Sequence, residues 1–277
     1  MTATILSGIT ARDARTLILT EKIKKLSHIP QLAIIQMGDR PDSTAYINAK
    51  KSFAKKVGIH VKHIHVPENT SQSDIIEQIR KCNADGTIQG IIVQVPLPEH
   101  IDRTTVIDAI DPTKDVDGLT SINFNKLISG DASAIVPATA RGIHELCEYY
   151  SIVLKGKKIA VVGRSRLVGT PIALLSKRAG ADVIICHSKT PDLAHETKQA
   201  DIVIVAVGKP GLIGPAHIAH GAIVIDVGIS KMADGTLVGD VDFDAVQELA
   251  SAITPVPGGV GPMTVLGLFE NIVDACR

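Results

Sequence analysis

From Lys157 onward the chain repeats one pattern: a short aliphatic run, a polar stretch with apolar residues at helical spacing, then another aliphatic run. The segments "KKIAVVG", "VGTPIALLSKRAG", "ADVIICHS", "PDLAHETKQA", "DIVIVAVG", "GAIVIDVG" and "SAITPVP" follow in that order. Continuous aliphatic runs suit strands buried on both faces. Strands separated by helices predict a parallel sheet covered by helices on both sides. Strand, helix, strand, helix, strand is the mononucleotide-binding half of a doubly wound fold.

An earlier stretch shows the same alternation. "LAIIQMG" reads as a buried strand, "STAYINAKKSFAKKV" as a helix, and "IHVKHIHV" as a strand with period-two alternation. "SQSDIIEQIRKCNAD" opens with a Ser71 to Asp74 capping spacing and continues as an amphipathic helix, and "IQGIIVQVPLP" closes the series as an apolar strand ending in prolines. The following "DPTKDVDGLTSINFNKLISGDASAIVPAT" is rich in Asp, Gly, Ser and Pro, and reads as a functional loop approaching a domain boundary. Thr139 is then expected to cap the helix "ARGIHELCEYY".

A length of 277 residues accommodates two such domains. Only 3% of residues are aromatic and none is tryptophan, so the cores must be aliphatic. The 29 basic residues balance the 29 acidic ones, leaving no overall field to attract nucleic acid or an anionic membrane. Cys82, Cys147, Cys186 and Cys276 are scattered without metal-cluster or disulfide spacing, which fits buried thiols, no bound metal and a reducing compartment. The N-terminal residues lack a secretory pattern and no apolar run approaches about 20 residues, so the expected location is cytoplasmic.

"AVVGRSRLVGTP" follows a buried strand and opens a helix, the setting of a pyrophosphate-binding turn. Gly163 and Gly169 do not complete Gly-x-Gly-x-x-Gly, because Ser165 holds the middle place. Enzymes preferring NAD carry an acid at the end of the second strand for the ribose 2′-hydroxyl. Here that strand ends in His187, Ser188 and Lys189, with Arg164, Ser165 and Arg166 one loop away, and the combination predicts NADP. Gly208 with Pro210, and Gly228 with Ile229, fall at later strand ends, where small residues would let a nicotinamide ring approach.

Tyr46 and Lys50 stand four residues apart on the helix and share a face. A Tyr-x-x-x-Lys pair in short-chain dehydrogenases comes after the glycine loop, and here it precedes that loop by more than a hundred residues. The short-chain reading therefore fails on order. Lys50, Lys51, Lys55 and Lys56 taken alone read equally as one solvated basic face.

The segments "AYINAKK", "GIIVQVPLP", "PTKDVDG", "GRSRLVGTP", "AVGKPG", "GAIVIDVGI", "GDVDF" and "TPVPGGVGPMT" together closely resemble the bifunctional methylenetetrahydrofolate dehydrogenase/methenyltetrahydrofolate cyclohydrolase family, in order and over essentially the whole chain. The resemblance implies NADP-linked oxidation of 5,10-methylenetetrahydrofolate, then hydrolysis to 10-formyltetrahydrofolate. It implies Lys50 as the group that handles the hydrolytic proton, Tyr46 packed on the folate, Gln94 holding the lysine, and Asp117 recognising the pterin. Asp115 competes with Asp117 for that role, its other role being a cap or turn.

The same resemblance implies a folate-contacting wall at Pro257, Gly258, Gly259 and Val260, with Gly261 next to it, and a cofactor set of Gly163, Arg164, Ser165, Val168, Gly169, His187, Ser188, Gly208, Gly228 and Ile229. It further implies a homodimer through the nucleotide domain and a C-terminal helix returning to the first domain. The expected division is residues 1–138 plus 263–277 for the α/β folate domain, and 139–262 for the Rossmann-type NADP domain. Two departures stand out: "PATA" at Pro137–Ala140 where Pro-Cys-Thr-Pro is usual, and Ile272 in "FENI" where a threonine is usual. The rival readings are a monofunctional dehydrogenase of the same family, a shikimate-dehydrogenase-type oxidoreductase, and a catalytically silent NADP-binding module.

Overall fold

The computed structural model describes residues 3–276. Its chain forms two compact units by contact density: one of residues 15–138 and 265–277, the other of residues 1–14 and 139–264.

The first unit is built on a three-stranded parallel sheet in the order β3-β2-β4, with β2 at Gln31–Met37, β3 at His60–Val66 and β4 at Gly90–Val93. Strand β2 lies between the other two and, as its aliphatic sequence requires, is almost wholly buried. Helix α2, Pro41–Val57, joins β2 to β3. Pro41 occupies its first turn, where a missing N–H costs nothing, and Gly58 ends it in the left-handed conformation at φ 83°. Helix α3, Gln72–Ala84, joins β3 to β4, and its N-cap Ser71 hydroxyl accepts from the Asp74 N–H at 3.2 Å, as the spacing predicts. Ile75, Ile79 and Cys82 of α3 bury against Ala33, Ile35, Ile91 and Val93 of the sheet.

Helix α4, Arg103–Asp108, and helix α5, Ser121–Ser129, follow β4. The stretch after Pro98 is therefore not a continuous loop. Thr120 caps α5 through the Asn123 N–H at 3.2 Å, and Gly130 ends it at φ 84°. The loop-like composition belongs to the caps and turns on either side of a helix only nine residues long.

The second unit carries a six-stranded parallel sheet in the order β1-β11-β8-β7-β5-β6. Its strands are β1 (Thr4–Ile5), β5 (Lys158–Val162), β6 (Asp182–Cys186), β7 (Ile202–Val205), β8 (Ile223–Asp226) and β11 (Ala252–Ile253). Helices α7 (Gly169–Arg178) and α8 (Leu193–Lys198) connect β5, β6 and β7, α9 (Phe243–Val246) precedes β11, and a small hairpin of β9 (Ser230–Lys231) and β10 (Leu237–Val238) follows β8. Chain order reverses at β5: β6 pairs on one side and β7 on the other. That reversal is where doubly wound sheets open a ligand crevice.

The opening strand changes the expected division. Residues 1–14 group with the second unit because Thr4 and Ile5 pair in parallel with Ala252 and Ile253. Helices α1 (Gly8–Lys24), α6 (Ala138–Tyr149) and α10 (Val260–Asp274) each run across the division in sequence. Thr139 does not cap α6, which already begins at Ala138; its hydroxyl meets that of Thr264 at 3.3 Å.

The two sequence departures fall on buried positions. Ala138 and Ala140 are inaccessible, so small side chains fit there. Ile272 is fully buried, close to Gly90, where an added Cβ would come within 3.1 Å of the isoleucine side chain. The neighbouring Asn271 amide donates to Val116 O at 2.8 Å and Val136 O at 2.9 Å, so the polar work at this end of α10 does not require a hydroxyl at position 272.

Candidate functional site

Helix α2 buries Ser43, Ile47, Ala54 and Val57, a stripe at intervals of four, seven and three residues. Lys50 falls between Ile47 and Ala54 on that stripe, where an apolar residue would ordinarily sit. Lys55 and Lys56 face solvent, while Lys51 reaches His63 Nδ1 at 2.8 Å. The four lysines are therefore not one solvated face. Tyr46, one turn before Lys50, is 41% exposed and available for a flat ligand.

The Lys50 ammonium donates to Gln94 Oε1 at 3.0 Å. Gln94 follows directly on β4, and its Nε2 donates to Val95 O at 2.7 Å, which fixes the amide with its oxygen toward the lysine. Burial holds the Lys50 pKa below the usual lysine range, and the Asp117 carboxylate opposes that shift. Burial in turn pushes Asp117 up from the usual carboxylate range, with Lys50 and then Arg103 acting in the other direction.

Two carboxylates two residues apart have opposite surroundings. Asp115 is 1% exposed and accepts from Leu119 N at 3.0 Å, Thr120 N at 2.9 Å, Thr120 Oγ1 at 2.7 Å and Asn123 Nδ2 at 2.9 Å. Those donors consume its oxygens and tie the turn to α5. Among the described residues no hydrogen-bond donor reaches the Asp117 carboxylate, which is left free to accept from a ligand.

In the six-stranded unit, Gly163 ends β5 at φ 120°, and a Cβ there would overlap Ala206 O at the end of β7. A Cβ at Gly169 would overlap Gly163 O, so the first turn of α7 lies directly over the strand end. Ser165, in the place of the middle glycine, ties the turn to the start of α7: its hydroxyl accepts from Val168 N at 3.1 Å and Gly169 N at 3.4 Å. Arg164 is exposed beside this turn.

On the adjacent strand β6, in register Val162 to Cys186, the chain turns tightly at its end. His187 N donates to Thr190 Oγ1 at 2.9 Å and Lys189 N donates to His187 Nδ1 at 3.1 Å, leaving Ser188 and Lys189 side chains exposed. No acid occupies residues 187–189, so a 2′-phosphate would meet no repelling carboxylate there. Together with the glycine cradle, this donor set fits a phosphorylated dinucleotide. Gly208 and Ile229 are exposed at the ends of β7 and β8, whereas Gly228 is buried.

The glycine-rich turn 257–260 belongs to the same unit and has an internal use as well. Gly258, at φ 102°, presents its carbonyl to Gly8 N at 2.9 Å and Ile9 N at 3.3 Å, the start of α1. A Cβ on Gly8 would overlap Gly259 O, so this approach is open only to glycine. Pro257 remains exposed, Val260 is buried, and Gly261 has nothing within 4 Å of an added Cβ. A cavity of about 490 Å³ in this unit lies at the amino ends of β7, β8 and β11. Parallel sheets bind ligands at the opposite end, and we assign it no chemistry.

Comparison with known proteins agrees with both halves. Residues 6–117 match the tetrahydrofolate dehydrogenase/cyclohydrolase catalytic domain, and residues 137–277 match the tetrahydrofolate dehydrogenase/cyclohydrolase NAD(P)-binding domain. The bifunctional protein FolD of Geobacillus thermodenitrificans is 46% identical over 280 residues, covering 100% of this chain and 98% of the relative. The crystal structure of FolD methylenetetrahydrofolate dehydrogenase/cyclohydrolase from Campylobacter jejuni superposes with a TM-score of 0.96 at 40% identity, covering 99% of this chain and 98% of that one. The Trypanosoma brucei enzyme, solved with NADP cofactor and inhibitor, gives a TM-score of 0.93 at 36% identity, covering 100% and 98%. With both domains matched and full-length relatives far above 30% identity, the chain belongs to the tetrahydrofolate dehydrogenase/cyclohydrolase family.

Proposed function

We propose that this protein oxidises 5,10-methylenetetrahydrofolate to 5,10-methenyltetrahydrofolate with NADP, then hydrolyses the methenyl compound to 10-formyltetrahydrofolate. The observation that carries the reading is Lys50: an amine on the buried stripe of a helix, oriented by Gln94 and held below its ordinary pKa by burial. A solvated lysine would have none of these properties.

The bound dinucleotide supplies a hydride acceptor. In the oxidation, the folate nitrogens' lone pairs assist departure of hydride from the bridging carbon, so the protein's part is alignment. Tyr46 is assigned to stacking on the folate, and Asp117 to accepting from the amino and ring N–H groups of the pterin. Pro257 to Val260 are assigned as further folate contacts. In the hydrolysis, water adds to the methenyl carbon and loses one proton, the resulting hydroxyl gives up its second proton as the carbonyl forms and the carbon to N5 bond breaks, and N5 gains a proton, so that one proton is released overall. Lys50 is the group placed to carry a proton between water and N5, because burial lowers its pKa and a lysine so lowered gives up and takes back a proton more readily than a solvated one. Gln94 keeps the amine aimed.

Gly163, Arg164, Ser165, Val168, Gly169, His187, Ser188, Gly208, Gly228 and Ile229 are assigned to NADP, with Arg164 and Ser188 meeting the 2′-phosphate. The product class places the enzyme in one-carbon supply for purine and amino-acid biosynthesis. Among the described residues no helix is long and apolar enough to cross a membrane. By family resemblance we assign the enzyme to the cytoplasm, as a homodimer through the nucleotide domain.

An absorbance assay with methylenetetrahydrofolate and NADP tests the whole reading. The methenyl chromophore should rise and then decay. No rise refutes the dehydrogenase; a stable rise leaves the monofunctional dehydrogenase as the correct member of the family.

A further inference from the structure

Two buried carboxylates in the six-stranded unit have no part in the chemistry above. Asp240 is fully buried and Asp226, the last residue of β8, is 3% exposed. The Asp240 carboxylate accepts from three successive backbone N–H groups, Val207 at 2.7 Å, Gly208 at 2.9 Å and Lys209 at 2.6 Å. The Asp226 carboxylate accepts from Gly228 N at 2.9 Å, Asp240 N at 3.1 Å and Val241 N at 2.9 Å. Thr254 Oγ1 completes the chain by accepting from Asp226 N at 2.7 Å. Asp226 thus fixes the backbone of Asp240, and Asp240 fixes the turn at the carboxyl end of β7.

Two glycines make room for this arrangement. A Cβ on Gly228 would overlap the Asp240 carboxylate, and a Cβ on Gly239 would overlap that of Asp226. Successive N–H groups converging on one point form an anion-binding concavity. At residues 207–209 the concavity is already filled by an anion of the chain itself, so it has no donor left for a phosphate. The carboxylate lies behind the turn, and the exposed Gly208 backbone remains in front.

We propose that Asp240, locked by Asp226, is a positioning residue for the dinucleotide, holding the 207–209 turn in the conformation on which cofactor binding depends while keeping its N–H groups from the cofactor's phosphates. The inference rests on reading this unit as the NADP domain. It assigns Gly228 a steric role in admitting Asp240, where the sequence suggests only close approach of a nicotinamide.

Asp240→Asn replaces one accepting oxygen with a donor that faces backbone N–H groups. Its KM for NADP and for NAD should each rise about tenfold or more, because the turn serves the part common to both. Hydrolysis of added methenyltetrahydrofolate needs no dinucleotide and should stay within about twofold, which verifies folding. Unchanged KM values overturn the proposal. So does a parallel loss of hydrolysis, dinucleotide binding and cooperative melting, since the carboxylate would then hold the fold and not the turn.

Amide exchange in the wild-type protein gives a second test that needs no variant. A peptide covering 205–212 should be protected before NADP is added and gain little afterwards. Free exchange that NADP alone suppresses would mean that the N–H groups serve the cofactor, and the proposal fails. Direct binding of NADPH to the wild-type protein, read by fluorescence, separately tests the cofactor reading itself.

Discussion

At the carboxyl end of the three-stranded sheet, Lys50 has one oriented acceptor and Asp117 has no hydrogen-bond donor among the described residues. At the corresponding end of the six-stranded sheet, Asp226 and Asp240 accept three backbone N–H groups each. Lys50, Asp117 and Asp226 each hold charge where burial disfavours it. The physical difference is what remains unsatisfied. A charged group short of partners gains from meeting a ligand, whereas one saturated by backbone stabilises a particular chain conformation. Perturbed titration alone does not separate these uses; the hydrogen-bond inventory does.

Asp115 and Asp117 repeat the contrast within one turn, and removing groups on either side of it should produce different failures. The largest effect expected is for Lys50→Met, which should lower cyclohydrolase turnover by about a hundredfold or more, in the range general acid–base groups supply. Part of the dehydrogenase activity should survive, because hydride departure does not need the amine. Assays of the two steps on separately added substrates check this, and undiminished hydrolysis would return Lys50 to the role of a structural lysine.

Asp117→Ala should damage both steps together, with raised KM or lost turnover, and leave thermal stability nearly unchanged. Asp115→Ala should do the reverse. Stranding the donors of Thr120, Leu119 and Asn123 should cost several kcal/mol, at about 1–3 kcal/mol per buried unsatisfied group. Paired melting curves and kinetics decide it, and a melting loss in Asp117→Ala equal to that in Asp115→Ala would erase the distinction. Asp117→Asn sharpens it further. The carboxylate raises the Lys50 pKa, so its neutralisation should move the lysine-dependent limb of the cyclohydrolase pH profile to lower pH.

Arg164→Ala should weaken NADP by about tenfold or more, since a charge-assisted hydrogen bond contributes about 1.5–3 kcal/mol and 1.4 kcal/mol is a decade in affinity. NAD, which lacks the 2′-phosphate, should be little affected. Parallel losses for both cofactors would transfer phosphate reading to Arg166 or Lys189. The selectivity also separates Arg164 from Asp240, whose removal should weaken both.

The smallest signal lies in the saturated pair. Burial outweighs three donors at Asp226 and pushes its pKa up to about 6. A carboxylate whose folded pKa lies above its unfolded value, about 3.9, binds its proton more tightly when folded. Its contribution to stability is therefore most favourable below the unfolded value and declines as pH rises through about 6. Carbon-13 NMR of the Asp226 carboxyl should show a midpoint near 6. A midpoint below that of a free aspartate would mean that the backbone donors prevail over burial.

Some of this molecule is legible without coordinates. The aliphatic runs identify β2, β5, β7 and β8, because a strand buried on both faces has little choice but to be apolar. Pro41 and Gly58 bracket α2, and Ser71 caps α3, because these residues act on the backbone within a few positions of themselves. The order of motifs also suffices to reject a short-chain dehydrogenase and to reach the family. Other features escaped for the same reason in reverse. The two-residue strand Thr4–Ile5 has too few positions to show a period, and joins its sheet only through Ala252 and Ile253. Helix α5 was hidden among the polar residues that cap it.

What distinguishes identical side chains physically is set by the tertiary structure. Local sequence pattern places Lys50 and Lys56 on one helix and Asp115 and Asp117 in one turn without ranking them; only the family resemblance prefers Lys50 and Asp117. The fold draws the Lys50 amine in beside Gln94, fills the oxygens of Asp115 with donors from residues 119–123, and spends the N–H groups of residues 207–209 on Asp240. Propensity and capping act over a few residues and are written locally. Desolvation and hydrogen-bond saturation depend on groups tens of residues away, such as Gln94 for Lys50 and Asp240 for Gly208, and take their values only once the chain has folded.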